Sequence, residues 1–526
     1  MIRIKQIKMP INHTKDDIKT KVAKKLKIDI KDIEKIKISK KSIDARKELN
    51  YVYEIDAKTK KEKQILKKNI KDVSRTPNEK YTLKIKGKEK LKNRPIIIGS
   101  GPAGLFAAYL LAKKGYNPVI IERGQKIEKR VKTVENFWKN GILDENTNVQ
   151  FGEGGAGTFS DGKLNTSVKD KHNRKKYVLE TFVKHGAPEE ILYLNKPHIG
   201  TDLLRNTIIN MRKEIIKHGG TFKFETCLKD ITVENGKITQ IKTNKETINT
   251  DILILAIGHS SRDTLEMLLK QNIIIKPKPF AIGIRIQHKQ SMINKNQYKK
   301  TDKLLPPASY KLTYKSKDNR GVYSFCMCPG GFVVNSSSEK EMLCINGMSN
   351  HKRDEENANS AIIVTISPDD FGNKPLDGIK YQRKLESITY QKGKGKIPVQ
   401  LLKDFLNKEK TKEIGNINPI FKGKYAFSDL NEIFPPYISK SLKEGILYFD
   451  KKIKGFASDD AILAAIESRT SSPIRIERDK NFESNIKGIY PIGEGAGYAG
   501  GIMTSAIDGI KLAELIVQKY KPIKTK

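Results

Sequence analysis

Residues 96–123 open Ile-Ile-Ile-Gly-Ser-Gly-Pro-Ala-Gly and close, after an Ala/Leu-rich stretch, on Val-Ile-Ile-Glu-Arg. Few chemistries need that order of parts. Gly99 permits a tight turn after an apolar strand. Gly101 lets backbone approach a pyrophosphate, and Gly104 lets the following helix lie close to the strand. Pro102 and Ala103 begin that helix, whose free amides and partial positive charge suit phosphates. Glu122 lies about twenty residues on, where a carboxylate can accept hydrogen bonds from a ribose diol, with Arg123 beside it. Glycine turns of this spacing are common. Here the strand, the helix and the terminal acid occur together, and they point to dinucleotide binding.

Two later segments belong with this one. Asp251 to Gly258 is a short apolar run ending in glycine, expected to be a buried parallel strand. Near the C-terminus, Gly488-Ile-Tyr-Pro-Ile-Gly493-Glu494 reads as a strand running into an acidic turn. A helix is expected from about residue 501, at Gly501-Ile502. Gly497, Gly500 and Gly501 permit close backbone approach. Mere helix capping explains these glycines less well, because the strand and the acidic turn come with them.

With these segments in view, the chain resembles the two-dinucleotide-fold flavoproteins related to glutathione reductase. Within them it is most similar to a bacterial family of uncharacterised FAD-dependent dehydrogenases, also described as NAD(FAD)-utilizing dehydrogenases. The resemblance covers nearly the whole chain. Its most specific pieces are Phe151-Gly-Glu-Gly-Gly-Ala-Gly-Thr-Phe-Ser-Asp-Gly-Lys-Leu164, Tyr323-Ser-Phe-Cys-Met-Cys-Pro-Gly-Gly-Phe332, Glu467-Ser-Arg-Thr-Ser-Ser-Pro-Ile-Arg475 and the C-terminal glycine segment. It implies that the first motif holds the ADP half of FAD and that the turn at Gly493 and Glu494 holds the ribityl chain. Many relatives carry Asp where this chain has Glu494. It also implies that the last helix points at the flavin. A helix N-terminus there would stabilise the negative charge of a ring that has accepted a hydride. The glycines from Gly152 to Gly157, Gly154 and Gly155 among them, read as a loop along the cofactor rather than as a second nucleotide motif. Thr158, Ser160 and Lys163 would then be polar contacts, and Arg130 lies close in sequence to the ribose carboxylate. No separate NAD(P) fingerprint is evident, so an electron donor such as NAD(P)H would have to visit the flavin transiently, or the substrate itself would reduce it.

Four further groups could carry chemistry. Arg285 and His288 are three apart on a strand and should face opposite ways. A surface Arg and a satisfied core His explain them as well. Cys326 and Cys328, two apart, should share one strand face. They could be a thiol pair exchanging electrons with the flavin, or two small core residues; their spacing does not suit a metal site. Arg469, with Thr470 and Ser471, lies in a polar run expected between a helix and a strand. It could clamp a substrate carboxylate or sit on a helix dipole.

The chain has 526 residues, 101 of them Lys or Arg against 60 Asp or Glu, a formal charge of +41. Lysine is spread along the chain and arginine is sparse, which argues for a solvated lysine bias and against a specific nucleic-acid reader. Four cysteines make no disulfide framework. No apolar run approaches the roughly 20 residues that span a bilayer, and no secretory signal is evident. A cytoplasmic protein acting on a small-molecule substrate away from membranes is expected, its oligomeric state unread.

The expected fold class is α/β: a Rossmann-like FAD-binding domain split in sequence, an inserted β-rich substrate domain and an N-terminal ferredoxin-like α+β module. The module should occupy residues 1–90. Its strands are expected at Arg3–Met9, Ile33–Ile43, Tyr51–Ala57 and Tyr81–Ile85, and its helices from Thr14 to about Leu26 and over Lys60–Asn69. Lys86–Arg94 should be a linker. The FAD-binding domain should run over 91–275, with a meander at Thr221–Glu225, Leu228–Glu234 and Gly236–Thr243. The substrate domain should cover 276–450, with a strand pair in Gly321–Val334, and residues 451–526 should complete the FAD-binding domain. The function expected is an FAD-dependent oxidoreductase. The alternatives are a flavoprotein tRNA-modifying enzyme, since some proteins of this architecture act on tRNA, and a non-enzymatic FAD-binding redox sensor or scaffold.

Overall fold

The computed structural model describes residues 1–166, 168–300 and 304–523. The N-terminal module is β1 (Ile2–Pro10), α1 (Lys15–Leu26), β2 (Ile33–Asp44), β3 (Asn50–Thr59), α2 (Glu62–Lys67) and β4 (Val73–Arg75). Thr14 and Asp17 close a capping box at the start of α1, which satisfies amides that a helix start leaves without partners. The antiparallel order β4-β1-β3-β2 is that of a split βαβ unit. The last strand falls earlier than the expected Tyr81–Ile85. Thr76 already donates to the Met1 carbonyl, and Pro77 cannot extend the ladder. Tyr81 and Leu83 pack instead on the next layer. The Lys86–Arg94 segment is no free tether either. The amides of Gly87 and Glu89 donate to Val517 and Lys519, and Lys521 donates back to Glu89.

The nucleotide layer contains β5 (Ile96–Ile98), α3 (Pro102–Lys113), β6 (Val119–Ile121), α4 (Ile127–Asn140), α5 (Arg174–Lys184), α6 (Thr201–Lys217) and β7 (Thr221–Lys223). A meander follows, β8 (Leu228–Glu234), β9 (Lys237–Thr243) and β10 (Thr247–Asn249), then β11 (Leu253–Leu255), α7 (Arg262–Lys270) and β12 (Ile275–Pro277). The first strand expected in the meander, Thr221–Glu225, instead forms the edge β7 of the parallel sheet. The meander takes its third strand from Thr247–Asn249.

The chain then builds a second layer: β13 (Phe280–Lys289), α8 (Gln290–Tyr298), β14 (Thr313–Lys315), β15 (Gly321–Cys328), β16 (Phe332–Asn335), β17 (Ile345–Met348) and β18 (Asn357–Ile366). It continues through α9 (Pro368–Phe371), α10 (Asp377–Gly393), β19 (Ile397–Leu401), α11 (Leu402–Asn407), β20 (Phe421–Lys422), β21 (Tyr425–Phe427), α12 (Pro436–Asp450) and β22 (Ile462–Glu467). Five helices make it less purely β than expected. Its seven-stranded sheet has the order β14-β15-β18-β13-β22-β19-β21. β15 and β16 do not form the expected pair; β16 lies in a separate sheet with β17 and β20. β22, buried throughout, pairs with β13 and β19. The layer therefore runs past the expected boundary at 450 to Glu467, because an apolar strand without a polar face needs neighbours on both sides.

The chain returns through β23 (Ile474–Ile476), which pairs with β12, so entry and exit lie side by side. β24 (Ile489–Pro491) then joins the parallel sheet, completing the order β24-β11-β5-β6-β7, and α13 (Ile502–Lys519) follows. The nucleotide layer is thus assembled from two distant stretches. A side chain at Gly509 of α13 would overlap the Ala103 carbonyl of α3. The two helices touch backbone to backbone, which sets their N-termini near one another.

Candidate active site

Parallel strands deliver loops to one edge of the sheet, and ligands bind there. At that edge lies a cavity of about 380 Å³, reaching from Glu122 after β6 to Cys326 on β15. The first turn supplies Gly99, Ser100, Gly101, Pro102 and Ala103. The last turn supplies Gly493, Glu494, Gly500, Gly501 and Ile502. Arg123, Gly155, Ser160, Lys163, Gly258, Arg469 and Thr470 also line it.

Both helices begin on this cavity without a side-chain cap: α3 behind Gly101 and α13 behind Gly501. Their first amides have no intrahelical acceptors, and the positive end of each dipole faces the same space. A Cβ built at Gly258, Gly500 or Gly501 would meet nothing within 4 Å. Here glycine leaves room rather than fitting against chain. Gly99 and Gly104 differ. A Cβ at Gly99 would overlap the Ala256 carbonyl oxygen, and one at Gly104 that of Gly99. Gly104 therefore packs beneath the turn and does not line the cavity.

Glu122 is buried, and its acceptor positions are engaged. Oε2 accepts from the Ser100 amide and hydroxyl at 2.9 and 2.6 Å; Oε1 accepts from the amides of Gly124 and Gly152, both at 3.0 Å. A carboxylate has about four such positions. A ribose hydroxyl would reach it by displacing a donor, and the Ser100 hydroxyl is the one that rotates. At the other turn His259 Nδ1 and Glu494 Oε1 are 3.0 Å apart, while buried His259 Nε2 has no partner among the described residues. Uncapped helix starts, an unclaimed imidazole nitrogen and an open glycine face together fit an extended, doubly phosphorylated ligand.

Comparison with known proteins decides which ligand. Residues 279–470 match a family described as "FAD-dependent protein, C-terminal domain-like". Residues 97–152 match an NAD(P)-binding Rossmann-like domain, and residues 1–58 a domain of unknown function. An uncharacterized protein of Clostridium beijerinckii (strain ATCC 51743 / NCIMB 8052) is 48% identical over 529 residues, which is 99% of each chain. The chain belongs to its family, and this is an FAD-dependent oxidoreductase. Among solved structures it is similar to L-proline dehydrogenase from P. horikoshii, with 14% identity over 82% of this chain and 94% of that one at a TM-score of 0.34. It is also similar to glycine oxidase from Bacillus cereus ATCC 14579, with 12% identity over 81% and 95% at 0.31. Likeness that slight speaks to neither substrate nor mechanism.

Several expected contacts of this oxidoreductase lie off the cavity. Arg130 is wholly buried, and it donates to the carbonyls of Asn148, Val149, Glu153 and Gly155 at 2.7–3.0 Å. It braces the loop rather than touching a ligand. Burial pulls its guanidinium down to about 9. A Cβ at Gly154 would overlap Thr158 Oγ1, and that hydroxyl donates to the Glu153 carbonyl; both serve the turn at Gly155–Phe159. Arg285 is buried and forks onto Glu467, and it also donates to Asn359, Asn346 and the Cys326 carbonyl. It positions cavity walls without lining the cavity. His288 points the other way, to the Phe456 carbonyl at 2.8 Å. Cys328 is buried behind Cys326.

Arg469 follows the strand β22, not the expected helix, so no helix dipole holds it. It lines the cavity, yet its fork grips buried Glu386 at 2.9 and 3.0 Å, and Nη1 donates to the hydroxyls of Ser260 and Ser338. Arg262 of α7 grips the same carboxylate, with both contacts at 2.9 Å. Burial alone would raise the Glu386 carboxyl; the two arginines outweigh it and hold the group far below the carboxylate range. The expected substrate clamp is thus a fastening between layers. Thr470 donates to the Ala281 carbonyl, and Ser471 is off the cavity.

Sequence reasoning passed over His259, Ser260, Asn346 and Glu467, all on the cavity. A signal existed for the first two. They directly follow Gly258 at the carboxyl end of a parallel strand, where ligand contacts gather. Glu467 heads a segment that carries the resemblance but drew no role of its own, and Asn346 carries no such mark.

Proposed function

We propose that this FAD-dependent oxidoreductase is a dehydrogenase of the kind its sequence resembles, moving a hydride between a small-molecule substrate and a non-covalently held flavin. The observation that carries this is the pair of uncapped helix starts, α3 and α13, on one cavity. When bound, the flavin supplies a ring that takes or gives two electrons with a proton. The amides at the start of α3 would hold the pyrophosphate, with Gly101 leaving it room. Glu122 would orient the adenosine ribose, with Arg123 beside it. Glu494 and His259 would reach the ribityl chain, and the amides behind Gly501 would hold negative charge on the ring. Cys326, Asn346 and Glu467 would face the substrate from the second layer, and Lys163 from the loop between α4 and α5. On this reading that layer is the substrate domain, the N-terminal module stands apart from the chemistry, and the enzyme works in the cytoplasm. NAD(P)H is a transient donor, and the spread of lysines serves no specific nucleic acid.

The test is direct. Purified protein should be yellow, and FAD should separate from it on denaturation. NADH or NADPH should bleach it without oxygen. A colourless protein that takes up no added FAD would sink the proposal.

A further inference from the structure

β15 does not run straight to its end. Phe325 pairs with Ala361 and Cys328 with Asn359, so the register slips between them. Inside that bulge Cys326 takes φ +42°, a left-handed conformation that non-glycine residues avoid unless their surroundings enforce it. Here the enforcement is visible. The Cys326 carbonyl accepts from Arg285 Nη1 at 3.3 Å and from Cys328 Sγ at 3.3 Å. The bulge undoes the shared face that regular spacing implied. Cys326 lines the cavity, whereas Cys328 is fully buried behind it. Lys163, also on the cavity, places Nζ 3.8 Å from Cys328 Sγ, and buried Asp161 holds that ammonium at 3.1 Å.

We propose that Cys326 and Cys328 form a dithiol/disulfide couple that exchanges an electron pair with the flavin of the cavity Cys326 lines. This rests on the flavin reading above and adds a second redox centre to it. In the forward direction the Cys326 thiolate and the Cys328 thiol join in a sulfur–sulfur bond. They give up two electrons and the Cys328 proton, all of which pass to oxidised FAD. The reverse step opens the bond with two electrons and a proton from reduced FAD. Atoms and charge balance with no further reagent. Titration supports the division of labour. With Cys326 ionised, the Cys328 S–H turns from the carbonyl to that sulfur; this hydrogen bond pulls the Cys326 thiol well down, and Lys163 and Arg285 add to it against burial. Serving as that donor, and being buried, pushes Cys328 well up. The thiolate is the reactive form, and it is the sulfur on the cavity.

The test begins with the holoprotein, its flavin content read from absorbance. It is oxidised with diamide, desalted and titrated with dithionite without oxygen. The wild type should consume two electron pairs per flavin, and C326S and C328S one. Differential alkylation with iodoacetamide in denaturant, which opens buried Cys328 to the reagent, should by mass spectrometry on the wild type find Cys326 and Cys328 protected when oxidised and alkylated when reduced. A wild type that takes one pair per flavin, or a pair of cysteines alkylated equally in both states, overturns the couple and leaves the flavin reading standing. A preparation that neither carries nor binds flavin overturns that reading instead, while the alkylation result still reports on the sulfurs.

Discussion

The two glycine turns on the cavity look alike in sequence, yet single glycines within them do opposite work. In the first, Gly99 and Gly104 are places where chain meets chain, and an added Cβ would overlap a backbone oxygen. In the last, Gly500 and Gly501 face open space, with nothing within 4 Å of an added Cβ. Glycine is required at Gly99 and Gly104 by the folded protein and at Gly500 by what the protein holds, while Gly501, at φ +158°, answers to its backbone as well. A glycine-rich turn therefore does not announce whether its substitution will cost the fold or the ligand.

That contrast can be broken by experiment, with the stability of the flavin-free protein as the common scale. Gly104→Val should have the largest effect, a loss of more than about 4 kcal/mol, since a backbone carbonyl cannot step aside as a side chain can. Low soluble yield and a collapsed denaturation midpoint would report it. A variant as stable as the wild type would refute the packing described for the first turn. Next comes Glu386→Gln, in the buried fastening between the two layers. It leaves Arg262 and Arg469 buried without their carboxylate and should cost about 3–5 kcal/mol in urea unfolding.

A smaller effect comes from pH. Burial lowers His288 from 6.5 to about 4. The folded chain thus refuses a proton that the unfolded chain accepts. The stability contributed by the neutral ring is present above pH 6.5 and drains away as pH falls toward 4. Between pH 7 and 5 the wild type should lose about 2 kcal/mol more than His288→Gln; equal losses would place the acid sensitivity elsewhere.

Gly500→Leu should have the smallest effect, a change within about 0.5 kcal/mol for the flavin-free protein, yet it should abolish FAD retention on a desalting column. Retained flavin would mean that the last turn does not face the cofactor.

The sequence by itself settled what is local. A strand, a glycine turn and a helix are neighbours along the chain, so the turns at Gly99 and Gly493, the cap at Thr14 and the buried strand at Leu253–Leu255 could be read from residue type and spacing. The resemblance to known flavoproteins also implied that β24 belongs in one domain with β5. Only the tertiary structure decided where long side chains end. Arg130 was expected at the ribose and instead reaches carbonyls 18–25 residues away. Arg469 was expected on a substrate and instead finds Glu386, 83 residues away. An arginine's fork takes whichever acceptors folding brings within reach, and those lie outside any local window. The same reason hid the bulge at Cys326. A slip in strand register depends on the neighbouring strand, and it sends one sulfur to the cavity and leaves the other buried.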